Sequence, residues 1–402
     1  MRSLIEDALA HARYEEKTTP VKEAGNARIV VVGTGGGGNN TINRLLTLGI
    51  HGAECIAINT DRQHLDFIKA HRKILIGEMI TRGLGAGGYP EVGAAAADES
   101  RDAIKAALQD SDLVFIAAGM GGGTGTGSAP IIAEIAKDCG AIVVGVVTMP
   151  FHVEKARIEK AKVGLEKLQK YADTVVVIDN NRLLEIAPNL PIDKAFCVAD
   201  EVLANMVKGI TETITLPSLI NLDYADVRTI MTNGGVALVG LGEASSAEIG
   251  SESSSFSSQR SPNINKFKLA GRSRAEIAVK NALNTPLLEV DYEGATGALI
   301  HVVGGEDLTL EEANYVAKIV TDKMDPNAMV IWGARVDPQM NGVLRVMLIL
   351  TGVKSPQILG NSRRERTEIT KNHSAKPSNY SSTFTGTDLS VDSFDLGLDR
   401  IE

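Results

Sequence analysis

The chain is poor in cysteine. Cys55, Cys139 and Cys197 are far apart and odd in number, so they form neither a disulfide framework nor a metal-ligand pair, and a reducing cytoplasm suits them. The seven histidines show no zinc-like spacing, and no metal site is expected. No apolar run approaches the roughly 18 residues that a bilayer-spanning helix needs, and the opening MRSLIEDALAHARYEEK lacks the apolar centre of a signal peptide. Direct membrane insertion is therefore not expected. Basic side chains are outnumbered 41 to 50, for a formal charge of −9 and a pI near 5.4. That balance argues against non-specific nucleic-acid binding. A G-x-x-x-x-G-K-[ST] run is also missing, which excludes a P-loop fold. What remains is ordinary globular composition, 44 % hydrophobic and 23 % charged, in 402 residues, with 40 clustered glycines. The length suits two or three domains.

Residues 1–26 read as a flexible extension with one short amphipathic stripe, Leu4, Ile5, Ala8 and Leu9. From Ala27 the pattern alternates. Buried-strand runs at 28–32, 55–58, 112–118, 141–147 and 174–178 are separated by helical spacing, which predicts an α/β region over 27–192 with a parallel sheet covered on both faces by helices. Phe196, Ala199, Val202, Leu203, Met206, Val207 and Ile210 predict a long buried central helix at about 193–216, within a connecting segment that ends near 220. A second, smaller α+β domain is expected over 221–354. Its strands lie near 235–239, 297–303, 328–332 and 343–350, its helices at 273–283 and 309–323, and Thr309 with Glu312 forms a capping box. Residues 251–271 read as a flexible Ser- and Asn-rich insertion, and 355–402 as a disordered polar tail. The tail is basic at first and carries a net charge of −4 over 388–402, where Phe394, Leu396, Leu398 and Ile401 stay apolar. Such a terminus suits docking on a partner.

Two glycine runs carry the chemistry. Gly33-Thr-Gly35-Gly36-Gly37-Gly38-Asn39-Asn40 follows a strand and opens a helix, where glycine admits a phosphate to the backbone and the helix N-terminus favours its charge. Alone it also suits a dinucleotide-binding enzyme or a plain tight turn. Gly119-Met120-Gly121-Gly122-Gly123-Thr124-Gly125-Thr126-Gly127 sits in the same context, and two such loops on neighbouring strand ends can hold a polyphosphate from both sides. A packed core has little use for such a run, since each glycine costs roughly 1 kcal/mol relative to alanine.

GGGTGTG at 121–127 and NLDYADVR at 221–228 resemble the signatures of the tubulin/FtsZ superfamily, in the form found in archaeal FtsZ, and the resemblance runs from about residue 27 to 354. It implies a GTP-binding, filament-forming GTPase of cell division that uses Mg²⁺ and acts in the cytoplasm at mid-cell. Gly35, Gly36, Gly37, Asn39 and Asn40 look like its first nucleotide loop, and Asn59 and Asp61 like the loop after the second strand. Ala86, Gly87 and Gly88 resemble the loop that senses the γ-phosphate. Gly119, Gly121, Gly122, Gly123, Thr124, Gly125 and Thr126 resemble the phosphate loop. Asn180 and Asp200 look like readers of the guanine edge, with Phe196 stacking on the base. Glu154 and Arg157 look like the ribose and phosphate contacts, although the glycine between them is missing and the arginine stands three residues on instead of four. Ile178-Asp179-Asn180 also lacks the usual proline before the asparagine.

The resemblance makes Asn221, Asp223 and Asp226 the catalytic group, and helix arithmetic then separates them from the base. Residues 200 to about 214 span roughly 20 Å, so these acids should face a γ-phosphate only on the next molecule of a head-to-tail stack. The acidic end of the tail resembles the segment by which such proteins dock on a membrane-tethering adaptor, SepF-like in archaea. A nicotinamide-dependent oxidoreductase, with Gly33–Gly38 as dinucleotide loop and Asp61 on the ribose, is the competing enzyme reading. A superfamily member that regulates cell shape without dividing is the third.

Overall fold

The computed structural model describes residues 27–186, 191–215, 224–232, 234–246, 264–283 and 292–353. The Val/Ile runs form the strands they predict. β1 (Ile29–Thr34), β2 (Ala53–Asn59), β3 (Arg72–Leu75), β4 (Leu113–Gly119), β5 (Ile142–Met149) and β6 (Thr174–Asp179) are all parallel, in the order β3-β2-β1-β4-β5-β6. β1 and β6 are buried along their whole length, as strands covered on both faces must be.

Alternate side chains feed two cores. On one face Val31, Phe115, Val144 and Val176 pack with Ile42 and Leu45 of α1 (Gly35–Thr47) and with Leu203, Met206 and Val207 of α9 (Ile192–Thr215). On the other face Val30, Val32, Ile116 and Val143 meet four helices: α4 (Pro90–Glu99), α5 (Arg101–Leu108), α6 (Thr124–Asp138) and α7 (Lys155–Tyr171). Short helices α2 (Arg62–Phe67), α3 (Glu78–Thr81) and α8 (Asn181–Ile186) complete this half.

The sheet does not stop there. Thr174 and Val175 of β6 pair in parallel with Gly235 and Val236 of β7 (Gly235–Ser245), which follows α10 (Tyr224–Met231). From β7 the order runs to β10 (Val343–Thr351), β8 (Gly297–Gly304) and β9 (Met329–Val336), with antiparallel pairs flanking β10 and a parallel last pair, giving ten strands in one sheet. Helices α11 (Ile264–Leu283) and α12 (Leu310–Thr321) belong to this half.

The central helix agrees with expectation to within a residue at each end, and the capping box forms in full: Thr309 accepts from the backbone N–H of Glu312, and Glu312 accepts from that of Thr309. One expectation is corrected. Helix α11 starts at Ile264, inside the stretch read as a flexible insertion through residue 271. Serine-rich composition ends near Ser261, and INKFKLAGRSRAEI beyond it holds no proline and spaces Ile264, Phe267 and Leu269 for helix. The N-terminal stripe, the rest of the insertion and the tail lie outside the described residues, as do Asn221 and Asp223.

Candidate nucleotide site

β4 pairs with β1 on the side away from β2, so the chain reverses direction across the sheet at this point. Open α/β sheets bind ligands at such a switch point, beyond the carboxyl ends of the strands. Both glycine runs emerge there, because Thr34 and Ala118 are register partners at the ends of β1 and β4. The loops touch through glycine. A Cβ on Gly35 (φ +70°) would stand 2.7 Å from the nitrogen of Gly125, and one on Gly37 would stand 3.3 Å from the Cα of Gly119.

Gly36 and Gly122 differ from these. Neither has a positive φ and neither meets an atom within 4 Å of a built Cβ, so nothing among the described residues requires glycine there. Glycine at both positions leaves the backbone open to close approach by a ligand. Asn39 is fully buried with both amide atoms lacking a hydrogen-bond partner among the described residues, and Asn180, 9 % exposed, has an Oδ1 unpartnered among them. Buried amides of this kind cost free energy unless something binds them, which makes both of them candidates for ligand contact. Asn40 is exposed beside them.

Hydroxyls tie the loops together. Thr34 and Ser128 share a hydrogen bond of 2.6 Å, and so do Thr60 and Thr124. Thr126 is buried and turned inward, accepting from the backbone N–H of Gly121 at 2.8 Å, so it shapes the loop from behind. Asn59 accepts from the N–H of Thr60, and Asp61 caps α2 through His64, which gives both residues local work as well. The 81–88 loop closes the same end. Gly87 and Gly88 have φ of +60° and +77°, and Ala86 packs under Gly123.

With the altered Glu154–Arg157 spacing, the backbone at Arg157 still lies against the second glycine loop. A Cβ on Gly121 would lie 2.9 Å from the carbonyl of Arg157, so α7 starts against the phosphate loop. Arg157 donates to Glu154 at 2.6 Å, and Glu154 also accepts from the N–H of Phe151.

At the start of α9, Phe196 meets Phe151 edge-on, 5.8 Å between ring centroids. Phe151 directly follows Pro150 after the end of β5 and packs against the core. One turn further along α9, Thr41 of α1 donates to the Asp200 carboxylate at 3.3 Å. Burial pushes Asp200 up to about 6, against the downward pull of the Thr41 hydroxyl and Arg44. Arg44 and Glu201 add a 2.6 Å ion pair between the same two helices.

From Phe196 the helix descends the sheet. Lys208 donates to the Leu48 carbonyl, and Thr215 lies against Gly52, just ahead of β2 at the opposite end. Tyr224, the first residue of α10, donates its hydroxyl to the Asp112 carbonyl at 2.8 Å. Asp112 precedes β4, whose far end opens the second glycine loop. Seven residues at about 3.3 Å each separate the two ends by roughly 23 Å. Asp226, half-buried on α10, therefore stands at the end of the sheet remote from the glycine loops of its own chain.

Two family models match: the GTPase domain of the Tubulin/FtsZ family over residues 28–188, and the C-terminal domain of the FtsZ family over 264–354. Among curated proteins, the cell division protein FtsZ 2 of Methanocaldococcus jannaschii is 54 % identical over 369 residues, covering 92 % of this chain and 90 % of the relative. The FtsZ 2 of Halobacterium salinarum is 50 % identical, covering 92 % and 88 %. Among solved structures, an empty FtsZ dimer from M. jannaschii superimposes with a TM-score of 0.71 at 49 % identity, covering 89 % of this chain and 98 % of that one.

Proposed function

This chain belongs to the tubulin/FtsZ family, and from that premise we propose that GTP sits between its two glycine loops and is cut by acids lent from the next subunit of a head-to-tail filament. It is a cell-division GTPase, and it associates with copies of itself. The oxidoreductase reading leaves the second glycine run and NLDYADVR unexplained. High identity to cell division proteins favours division over shape control.

The phosphates lie against the N–H groups of Gly36, Gly37, Gly122 and Gly123, with the N-terminal ends of α1 and α6 behind them. Asp200 and Asn180 receive the guanine edge, and Phe196 covers the base. In hydrolysis, Asp223 and Asp226 of the neighbouring subunit hold the attacking water and draw its proton while Asn221 orients it. Arg157 and the loop N–H groups face the charge that builds on the phosphoryl oxygens. No group of three His, Cys, Asp or Glu side chains among the described residues could hold a metal ion. Mg²⁺, when bound, would rest on phosphate oxygens and water and supply charge neutralisation.

The single observation that carries this reading is the place of α10, a sheet's length from the nucleotide loops of its own chain. Exposed Met79 and Ile80 beside the 81–88 loop and Leu84 within it (85 %, 47 % and 84 %) suit burial under a neighbour, since such side chains are left uncovered by the described residues. The test is GTP turnover per molecule against protein concentration. It should rise from near zero in dilute solution to a plateau as filaments appear; a constant rate down to dilute monomer would overturn the shared site.

No helix among the described residues is long and apolar enough to cross a membrane. We assign membrane contact to a tethering adaptor, SepF-like, bound by 388–402, with the filament in the cytoplasm at the mid-cell division site. Removing 388–402 should leave turnover unchanged and abolish recruitment in cells, and a loss of turnover would contradict this assignment.

A further inference from the structure

Three residues spaced along one face of α7 touch both phosphate loops. The Arg157 backbone abuts Gly121, as described. Less than one turn further on, Lys160, at i+3, donates to the Gly88 carbonyl at 2.8 Å and places its ammonium 5.3 Å from the centroid of the Tyr89 ring. Gly164, at i+7, lies against the Thr126 methyl, and a Cβ there would come within 2.3 Å of it. Thr126 in turn holds the Gly121 N–H. The loop that Lys160 reaches is a run of left-handed backbone, with Arg82, Gly83, Gly85, Gly87 and Gly88 at φ +53° to +89°. Such a run has many alternative conformations, so its ordering depends on a few outside tethers. A charged donor to the carbonyl of Gly88, joined by a cation–π contact at the next residue, is such a tether.

We propose that α7 is the strut that couples the 81–88 loop to the 119–127 loop, with Lys160 as the positioning residue that holds Gly88 in the triphosphate-bound arrangement. The inference rests on reading 81–88 as the γ-phosphate loop. Lys160 touches no nucleotide. It transmits the state of one loop to the other because both are pinned to the same rigid helix face, and loss of the γ-phosphate frees Gly88 to leave the lysine.

The experiment is hydrogen exchange of peptides covering 82–89 in the full chain, kept dilute enough to prevent assembly and saturated with either GDP or a non-hydrolysable GTP analogue. The wild type should protect 82–89 more with the triphosphate. Lys160→Gln should exchange there about five-fold faster than wild type with the triphosphate and equally with GDP, and Lys160→Arg should recover most of the protection. A wild type showing no difference between nucleotides would overturn the γ-phosphate reading itself. A wild-type difference with no acceleration of exchange in Lys160→Gln, or an acceleration by the same factor with both nucleotides, would overturn the strut alone.

Discussion

Asp226→Ala and Asp223→Ala bind GTP and form filaments as the wild type does, and release phosphate about 10²-fold more slowly or worse. The size follows from what is removed. A carboxylate that orients the attacking water and takes up its proton acts only as the phosphoryl group departs, and deleting such a group typically costs two to four orders of magnitude. The selectivity follows from position. Asp226 stands on α10 at the end of β4 where Tyr224 reaches Asp112, away from Asp200, Asn180 and the glycine loops, so its loss cannot disturb binding within the same chain. Nucleotide affinity from fluorescence, sedimentation of filaments and phosphate release separate the three properties. Unimpaired phosphate release by both variants, or lost GTP affinity in either, would show that these acids do something else.

Asp200→Asn loses GTP affinity by about 10²-fold and gains affinity for xanthosine triphosphate. In the proposed site the carboxylate accepts from the N1–H and N2–H donors of guanine, and each hydrogen bond to a charged group is worth roughly 1.5–3 kcal/mol. An amide offers one acceptor and one donor, which mismatches the guanine amino group and matches the carbonyl that xanthine carries at the same place. The pH dependence has a definite sign. Asp200 titrates at about 6 in the free chain, above its ordinary 3.8, because burial disfavours its charge. The guanine edge binds the ionised form, so the proton must leave on binding. Affinity should be level above about pH 7 and fall roughly ten-fold per unit well below pH 6. Asp200→Asn should lack that component, which distinguishes it from titration of the phosphates. The same shift means that ionised Asp200 costs the empty chain stability above pH 6 and that this cost fades as pH falls from 6 toward 3.8. An identical pH profile in wild type and variant would remove Asp200 from the base site.

Much of the fold that frames the candidate site was legible in the sequence, and for local reasons. Val/Ile runs with glycine after them mark strand ends, the stripe through Leu203 and Ile210 marks a helix buried on one side, and Thr309 with Glu312 marks a cap, because each signal lies within a few residues of its effect. The extent of α11 was misjudged where composition was weighed over the absence of breakers. Other features left no local mark. Nothing in Thr41 announces a partner 159 residues away on α9, and nothing in Lys160 announces Gly88, 72 residues back.

The amino-acid order alone determined the α/β alternation, the two phosphate-suited loops, the family and the length of the central rod. Backbone preferences and side-chain periodicity act over one or two turns, so they can be read along the chain. Only the folded sheet decided that β4 pairs with β1 opposite β2, bringing the two loops edge to edge, and that α9 carries the chain from Asp200 down to the far end where Asp226 stands. Those outcomes come from non-local strand pairing and from which faces of sheet and helix bury each other, and such energies belong to contacts that exist only once distant segments have met.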